Sequence, residues 1–157
     1  MATVAGLARA HAGRPGGLLP LLHAVQDALG HVPDAAVPVL AEALNLSRAE
    51  VHGVISYYHH FRSAPPGRVL LQVCQAEACQ ARGAAALTEE AERITGCAMH
   101  ATRADRAVTL EPVYCLGLCA SGPSVAINGR PQARVTPQRL RALLDRQQGA
   151  GTGGIPS

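Results

Sequence analysis

Apolar residues first recur at helical spacing in the segment that begins at Leu18. Leu18, Leu21, Leu22, Val25 and Leu29 share one face, and Gly30 stands where a helix C-terminal cap belongs. Pro33 and Asp34 open a second predicted helix through Leu44, with Pro38 early, where a missing N–H costs least. Ser47 with Glu50 three residues later is a capping-box pattern. It predicts a third helix through Val51, Val54 and Ile55 towards Tyr58. Residues 1–16 are read as a mobile N-terminus and residues 17–65 as a helical bundle.

The pattern changes at Ser63-Ala64-Pro65-Pro66-Gly67, a linker signal that marks a domain boundary. Val69 to Val73 is a short apolar strand that runs into Cys74. Gln80 to Ile94 reads as a helix with Ala84, Leu87, Ala91 and Ile94 on one face, and Ala107 to Glu111 as a second strand. Ser124 to Ile127 and Ala133 to Val135 flank Asn128-Gly129, a hairpin signal. Thr136-Pro137 starts a last helix that carries Leu140, Leu143 and Leu144 inward, and Gly149 to Ser157 is expected to be flexible. Strand, helix, strand, hairpin, helix suits a small sheet covered by helices.

Composition narrows the function classes. The chain has 157 residues, is 48% hydrophobic and 16% charged, and can bury an ordinary core. Aromatic residues make up only 3%, with no Trp, which argues against a base-stacking platform or a carbohydrate cleft. All 14 basic residues are Arg, and they are scattered rather than clustered, so no nucleic-acid partner is expected. No apolar stretch is long enough for a membrane span. Residues 1–26 lack acidic groups, yet they hold a single hydroxyl residue, Thr3, and Pro20 breaks their apolar run, unlike a transit or signal peptide. A cytoplasmic location is expected.

Cysteine spacing carries the candidate chemistry. Cys74-x4-Cys79 and Cys115-x3-Cys119 each follow a predicted strand, so two loops can bring four thiolates to one point, with Cys97 alone between them. Thiolates are soft donors that suit iron–sulfur clusters or zinc. Loop N–H groups near sulfur stabilise a cluster's negative charge, and Gly83, Gly117 and Gly122 let backbone pass close by. Disulfides conflict with the expected reducing compartment, and no C-x-x-C dithiol occurs. Spacing alone leaves a structural zinc site level with an iron–sulfur cluster.

The residues around the cysteines break the tie by resemblance. Val73-Cys74-Gln75-Ala76-Glu77-Ala78-Cys79 with Gly83, and Leu110-Glu111-Pro112-Val113-Tyr114-Cys115-Leu116-Gly117-Leu118-Cys119 with Pro123, resemble the thioredoxin-like [2Fe–2S] ferredoxins. Those are small subunits of NADH:quinone oxidoreductase, NAD-linked hydrogenases and NAD-dependent formate dehydrogenases. Ser56-Tyr57-Tyr58-His59-His60-Phe61 is similar to the aromatic segment that ends the family's helical region. The resemblance covers roughly residues 17–147 and implies an α/β chain: an N-terminal helical bundle, then a thioredoxin-like [2Fe–2S] ferredoxin domain over 66–148, with 149–157 as a flexible tail. It implies one [2Fe–2S] cluster held by Cys74, Cys79, Cys115 and Cys119, and a partner subunit with FMN and the NAD site. Pro123 lies where such folds often carry a cis-proline.

Ala76-Glu77-Ala78 and Tyr114-Cys115-Leu116-Gly117-Leu118-Cys119-Ala120 look most like the formate dehydrogenase gamma subunit. That likeness implies a molybdenum- or tungsten-containing catalytic subunit as a further partner. His59 and His60 are read as a surface pair, Glu77 as a solvated loop carboxylate and Cys97 as a free thiol. The helix–turn–helix-like segment Leu40 to Tyr58 is read as packing or subunit docking, not DNA recognition.

Overall fold

The structure is a computed structural model that describes residues 1–149. It divides into two compact units, Met1–Pro66 and the chain from Gly67 onward. The division falls inside the Ser63–Gly67 linker signal. The expected flexible tail lies outside the described residues apart from Gly149.

In the first unit, helix α1 (Ala2–His11) occupies the segment expected to be mobile. Val4 and Ala8, one helical turn apart, are 0% and 1% exposed and join Leu21, Leu22, Val25 and Leu40 in one core. The helix lacks a side-chain N-cap bond, so only its short apolar stripe marks it in the sequence. Helix α2 (Leu18–Leu29) ends as expected, with Gly30 in the left-handed region at φ 76° and its N–H on the Gln26 carbonyl. The second predicted helix is a single 3-10 turn, Asp34–Ala36, leading into α3 (Val37–Leu44). Helix α4 (Arg48–Tyr57) carries the full capping box: Glu50 N–H donates to Ser47 Oγ at 3.1 Å, and Ser47 N–H donates to Glu50 Oε2 at 2.8 Å.

Gln26, buried on α2, ties down the segment after α4. Its Nε2 donates to the His60 carbonyl at 2.7 Å, and its Oε1 accepts the Arg62 N–H at 2.8 Å. Gln26→Leu keeps the volume but leaves both backbone groups without this amide. We expect a loss of about 2 kcal/mol, read from the urea unfolding midpoint; an unchanged midpoint would remove Gln26 from this role.

The second unit is built on a five-stranded sheet in the order β2-β3-β1-β4-β5. The strands are β1 (Val69–Cys74), β2 (Ala101–Thr102), β3 (Val108–Val113), β4 (Val125–Ile127) and β5 (Arg130–Gln132). β1 and β3 are parallel, with Val69 opposite Val108 and Cys74 opposite Val113; the other pairings are antiparallel. Pro112 is tolerated inside β3 because of this register. The carbonyls of Ala107 and Val113 both accept from the β1 segment, so the Pro112 nitrogen faces the β2 side, where β2 pairs only Thr109 and Leu110.

Two sequence expectations change here. The helix expected over Gln80 to Ile94 is two helices, a single turn α5 (Glu77–Gln80) and α6 (Ala84–Thr95). Gly83, at φ 94°, interrupts them in a conformation no helix continues. The hairpin turns at Asn128-Gly129 as expected, with φ 49° and 75°. Its second strand, however, is Arg130–Gln132 rather than Ala133 to Val135, because a two-residue turn returns the chain immediately to pairing with β4. The short β2 carries no apolar run, so nothing in the hydrophobic pattern signals it. Helix α7 (Pro137–Gly149) closes the unit, and Arg139 N–H donates to its cap, Thr136 Oγ1, at 3.2 Å.

Val69, Leu71 and Val73 of β1 are buried with Leu87 and Ala91 of α6 and Leu140 and Leu144 of α7. Glu90 on α6 accepts from Arg93 and, across to α7, from Arg141, each at 2.7 Å. Those two guanidiniums hold its carboxyl down at about 2. Among the described residues no helix is long and apolar enough to cross a membrane.

Candidate metal centre

Cys74 and Cys79 lie at and just after the end of β1, and Cys115 and Cys119 lie just after the end of β3. Cys74 is the last residue of β1, and its N–H donates to the Ser124 carbonyl at 3.0 Å. The next N–H, of Gln75, donates to the Val113 carbonyl at 2.8 Å, so the strand end is fixed from both sides. Cys79 lies in α5, its N–H on the Ala76 carbonyl at 2.9 Å. These two thiols are 1% and 2% exposed and pack with Ala84, with Ala76, Val113 and Leu116 beside them.

Cys115 and Cys119 are exposed, with Sγ atoms 3.6 Å apart. Cys115 stands in the left-handed region at φ 91°, a costly conformation for a residue with a Cβ. Cys119 opens the 3-10 turn Cys119–Ser121, which packs beside α5 and so meets the first pair. The thiols stand as pairs: among the described residues, no three or more His, Cys, Asp or Glu surround a common point.

Backbone and hydroxyl donors converge on the sulfurs. Burial opposes ionisation of Cys74 most strongly. Hydrogen bonds from the Ala76 N–H, the Cys79 thiol, the Cys115 N–H and the Ser124 hydroxyl together outweigh it, so the Cys74 thiol lies below its ordinary range. Cys119 moves the other way: its contact with Cys115 and the charge there push it up. Gly117 N–H donates to Cys115 Sγ at 3.3 Å. Gly83 and Gly117 supply left-handed backbone with open space around them, whereas Gly122 supplies room. A Cβ at Gly122 would stand 3.3 Å from Cys79 Sγ and 3.2 Å from Arg82 Cδ. The Gly122-Pro123 peptide bond is cis.

The other candidates fall outside this cluster. Cys97, 5% exposed, is buried in the sheet core and donates to the Ala101 carbonyl at 2.9 Å. Glu77 is exposed. His59 and His60 are exposed residues of the first unit, and the His60 ring lies 4.9 Å from that of His23. The sequence pattern gives Ser124 only a strand role, although its hydroxyl reaches the first cysteine pair. Its place right after Gly122-Pro123, opposite the end of β1, is the signal that could have found it.

Two pairs of thiols after neighbouring strands of a mixed sheet, with backbone N–H groups turned towards sulfur, are the donor set of a sulfur-ligated metal protein. The chain belongs to the thioredoxin-like [2Fe-2S] ferredoxin family, matched over residues 4–148. Membership implies one [2Fe–2S] cluster, and the donor chemistry fits it, with four soft thiols and backbone N–H groups placed to stabilise negative charge.

Among its relatives, an NADH-quinone oxidoreductase subunit of Pseudomonas aeruginosa is 33% identical over 124 residues, covering 79% of this chain and 75% of that one. NADH-quinone oxidoreductase subunit 2 of Thermus thermophilus is 32% identical over 133 residues, covering 84% and 74%. A solved NAD+-reducing [NiFe]-hydrogenase in the air-oxidized state is similar with a TM-score of 0.72 and 28% identity. That match covers 89% of this chain but only 23% of the hydrogenase chain.

Proposed function

We propose that this chain is the [2Fe–2S] electron-transfer subunit of a cytoplasmic NAD-linked oxidoreductase, with Cys74, Cys79, Cys115 and Cys119 as the cluster ligands. The observation that carries this reading is that the two cysteine pairs follow β1 and β3, adjacent parallel strands, and so lie at the same end of the sheet. When bound, the cluster supplies a one-electron couple. The protein's part is to hold it. Cys74 and Cys79 exclude water by burial, and inward N–H groups offset the charge that reduction adds. Four thiolates complete the ligand set, so a substrate has no place on the metal. The partner in this reading is a subunit carrying FMN and the NAD site, with which single electrons are exchanged.

Within that class we assign the chain to an NAD-dependent formate dehydrogenase, whose catalytic subunit carries molybdenum or tungsten. Support comes from Ala76-Glu77-Ala78 and the Tyr114 to Ala120 string. A second reading, the equivalent subunit of NADH:quinone oxidoreductase, is favoured by the named relatives.

Reduced protein is expected to give a low-temperature EPR signal of one spin per chain, with matched iron and acid-labile sulfide. Metal analysis that finds zinc with neither iron nor sulfide would sink the cluster ligand assignment in favour of a zinc-stabilised module. Co-purification decides the complex: formate-dependent NAD reduction supports the assignment, and recovery with quinone-linked membrane subunits alone overturns it.

A further inference from the structure

Ser124 is a buried polar residue set against the first cysteine pair. It is 1% exposed and immediately precedes β4, and its carbonyl holds the Cys74 N–H at 3.0 Å, which fixes its backbone against the end of β1. Its Oγ lies 3.4 Å from Cys79 Sγ and also reaches Cys74. The bare backbone of Gly122 lets this segment close on Cys79. No buried side-chain nitrogen or oxygen among the described residues lacks a partner, and the partners of this hydroxyl are sulfurs.

The direction of that bond follows from metal binding. Between a thiol and a hydroxyl either atom donates. A cysteine that binds iron has lost its proton, so the serine O–H becomes the only hydrogen on the contact. We propose that in the cluster-loaded chain Ser124 Oγ–H donates to the thiolates of the first cysteine pair, with Cys79 Sγ at 3.4 Å, and raises the reduction potential. Reduction adds negative charge at sulfur, and a fixed donor in a water-excluded position favours the more negative state. Ser124 is thus a positioning residue, acting through a ligand rather than on iron. The inference rests on the cysteine ligand set proposed above.

The test compares the full chain with Ser124→Ala and Ser124→Thr, each assayed for iron and sulfide before redox titration. At a fixed ambient potential the alanine chain is expected to show a reduced-to-oxidised ratio lower by about threefold to tenfold, tenfold being about 59 mV for one electron. The threonine chain is expected to restore it. Electron–nuclear double resonance of the reduced full chain is expected to show one exchangeable proton that the alanine chain lacks and the threonine chain retains. A fully loaded alanine chain with unchanged potential and unchanged exchangeable protons overturns the proposal. Should the alanine chain not load, the full and threonine chains decide, since their spectra must share a hydroxyl proton that D2O removes. Absence of iron and sulfide from the unsubstituted chain is a different failure, that of the ligand set itself.

Discussion

Cys79→Ala is expected to yield a folded chain that holds no stoichiometric iron and shows no spin signal on reduction. The buried alanine offers no donor, and three thiolates leave one iron position open. The fold should survive, because Cys79 belongs to a small cluster with Cys74 and Ala84, separate from the sheet core of Leu71, Leu87, Leu110 and Leu140. Circular dichroism would establish the folding, and iron and sulfide assays the loss. Cys97→Ala supplies the control. Its thiol sits inside the sheet core, bonded to the Ala101 carbonyl, and its removal should leave iron content unchanged. Full cluster content in the Cys79→Ala chain would refute the ligand set.

Leu71→Ala should produce the largest loss of stability in the second unit. Leu71 is fully buried at the centre of β1, opposite Leu110 of β3 and Ile127 of β4. Strands on both sides hold the backbone in place, so the cavity cannot close by a shift of one element. Substitutions of this kind cost about 2–5 kcal/mol, and a central strand position points to the middle of that range, about 3 kcal/mol. Urea unfolding followed by circular dichroism measures it. A change below about 1 kcal/mol would show that the sheet relaxes around the missing side chain.

The sequence was most readable where local chemistry and periodicity agree. Ser47 with Glu50, Gly30 after Leu29 and Asn128-Gly129 each name a backbone event within a few residues, and each occurs in the structure. The thioredoxin-like ferredoxin fold was likewise legible from the strings around the cysteines. It was less readable where tertiary contacts decide. The α1 stripe is too short to signal a helix until Leu21 and Leu40 cover Val4 and Ala8. The break at Gly83 lies inside a run of good helix formers, and β2 is two residues whose strand partner is β3.

At the proposed site, the spacing singles out four thiols but not their unequal surroundings. Nothing in C-x4-C or C-x3-C tells that Cys74 and Cys79 are buried while Cys115 and Cys119 are exposed. Ser124 was hidden for a related reason. A serine beside a strand is ordinary, and only the pairing of β1 with β4 sets it against sulfur.

That unequal burial gives the proposed metal centre a direction of wear. Among the described residues, chelators, oxygen and competing thiols meet the proposed ligands at the exposed Cys115 and Cys119, because Ala84, Val113 and Leu116 pack over the other pair. How long a loaded chain lasts in air is then governed by whatever shields that loop, and the rate of bleaching becomes a gauge of whether it is covered.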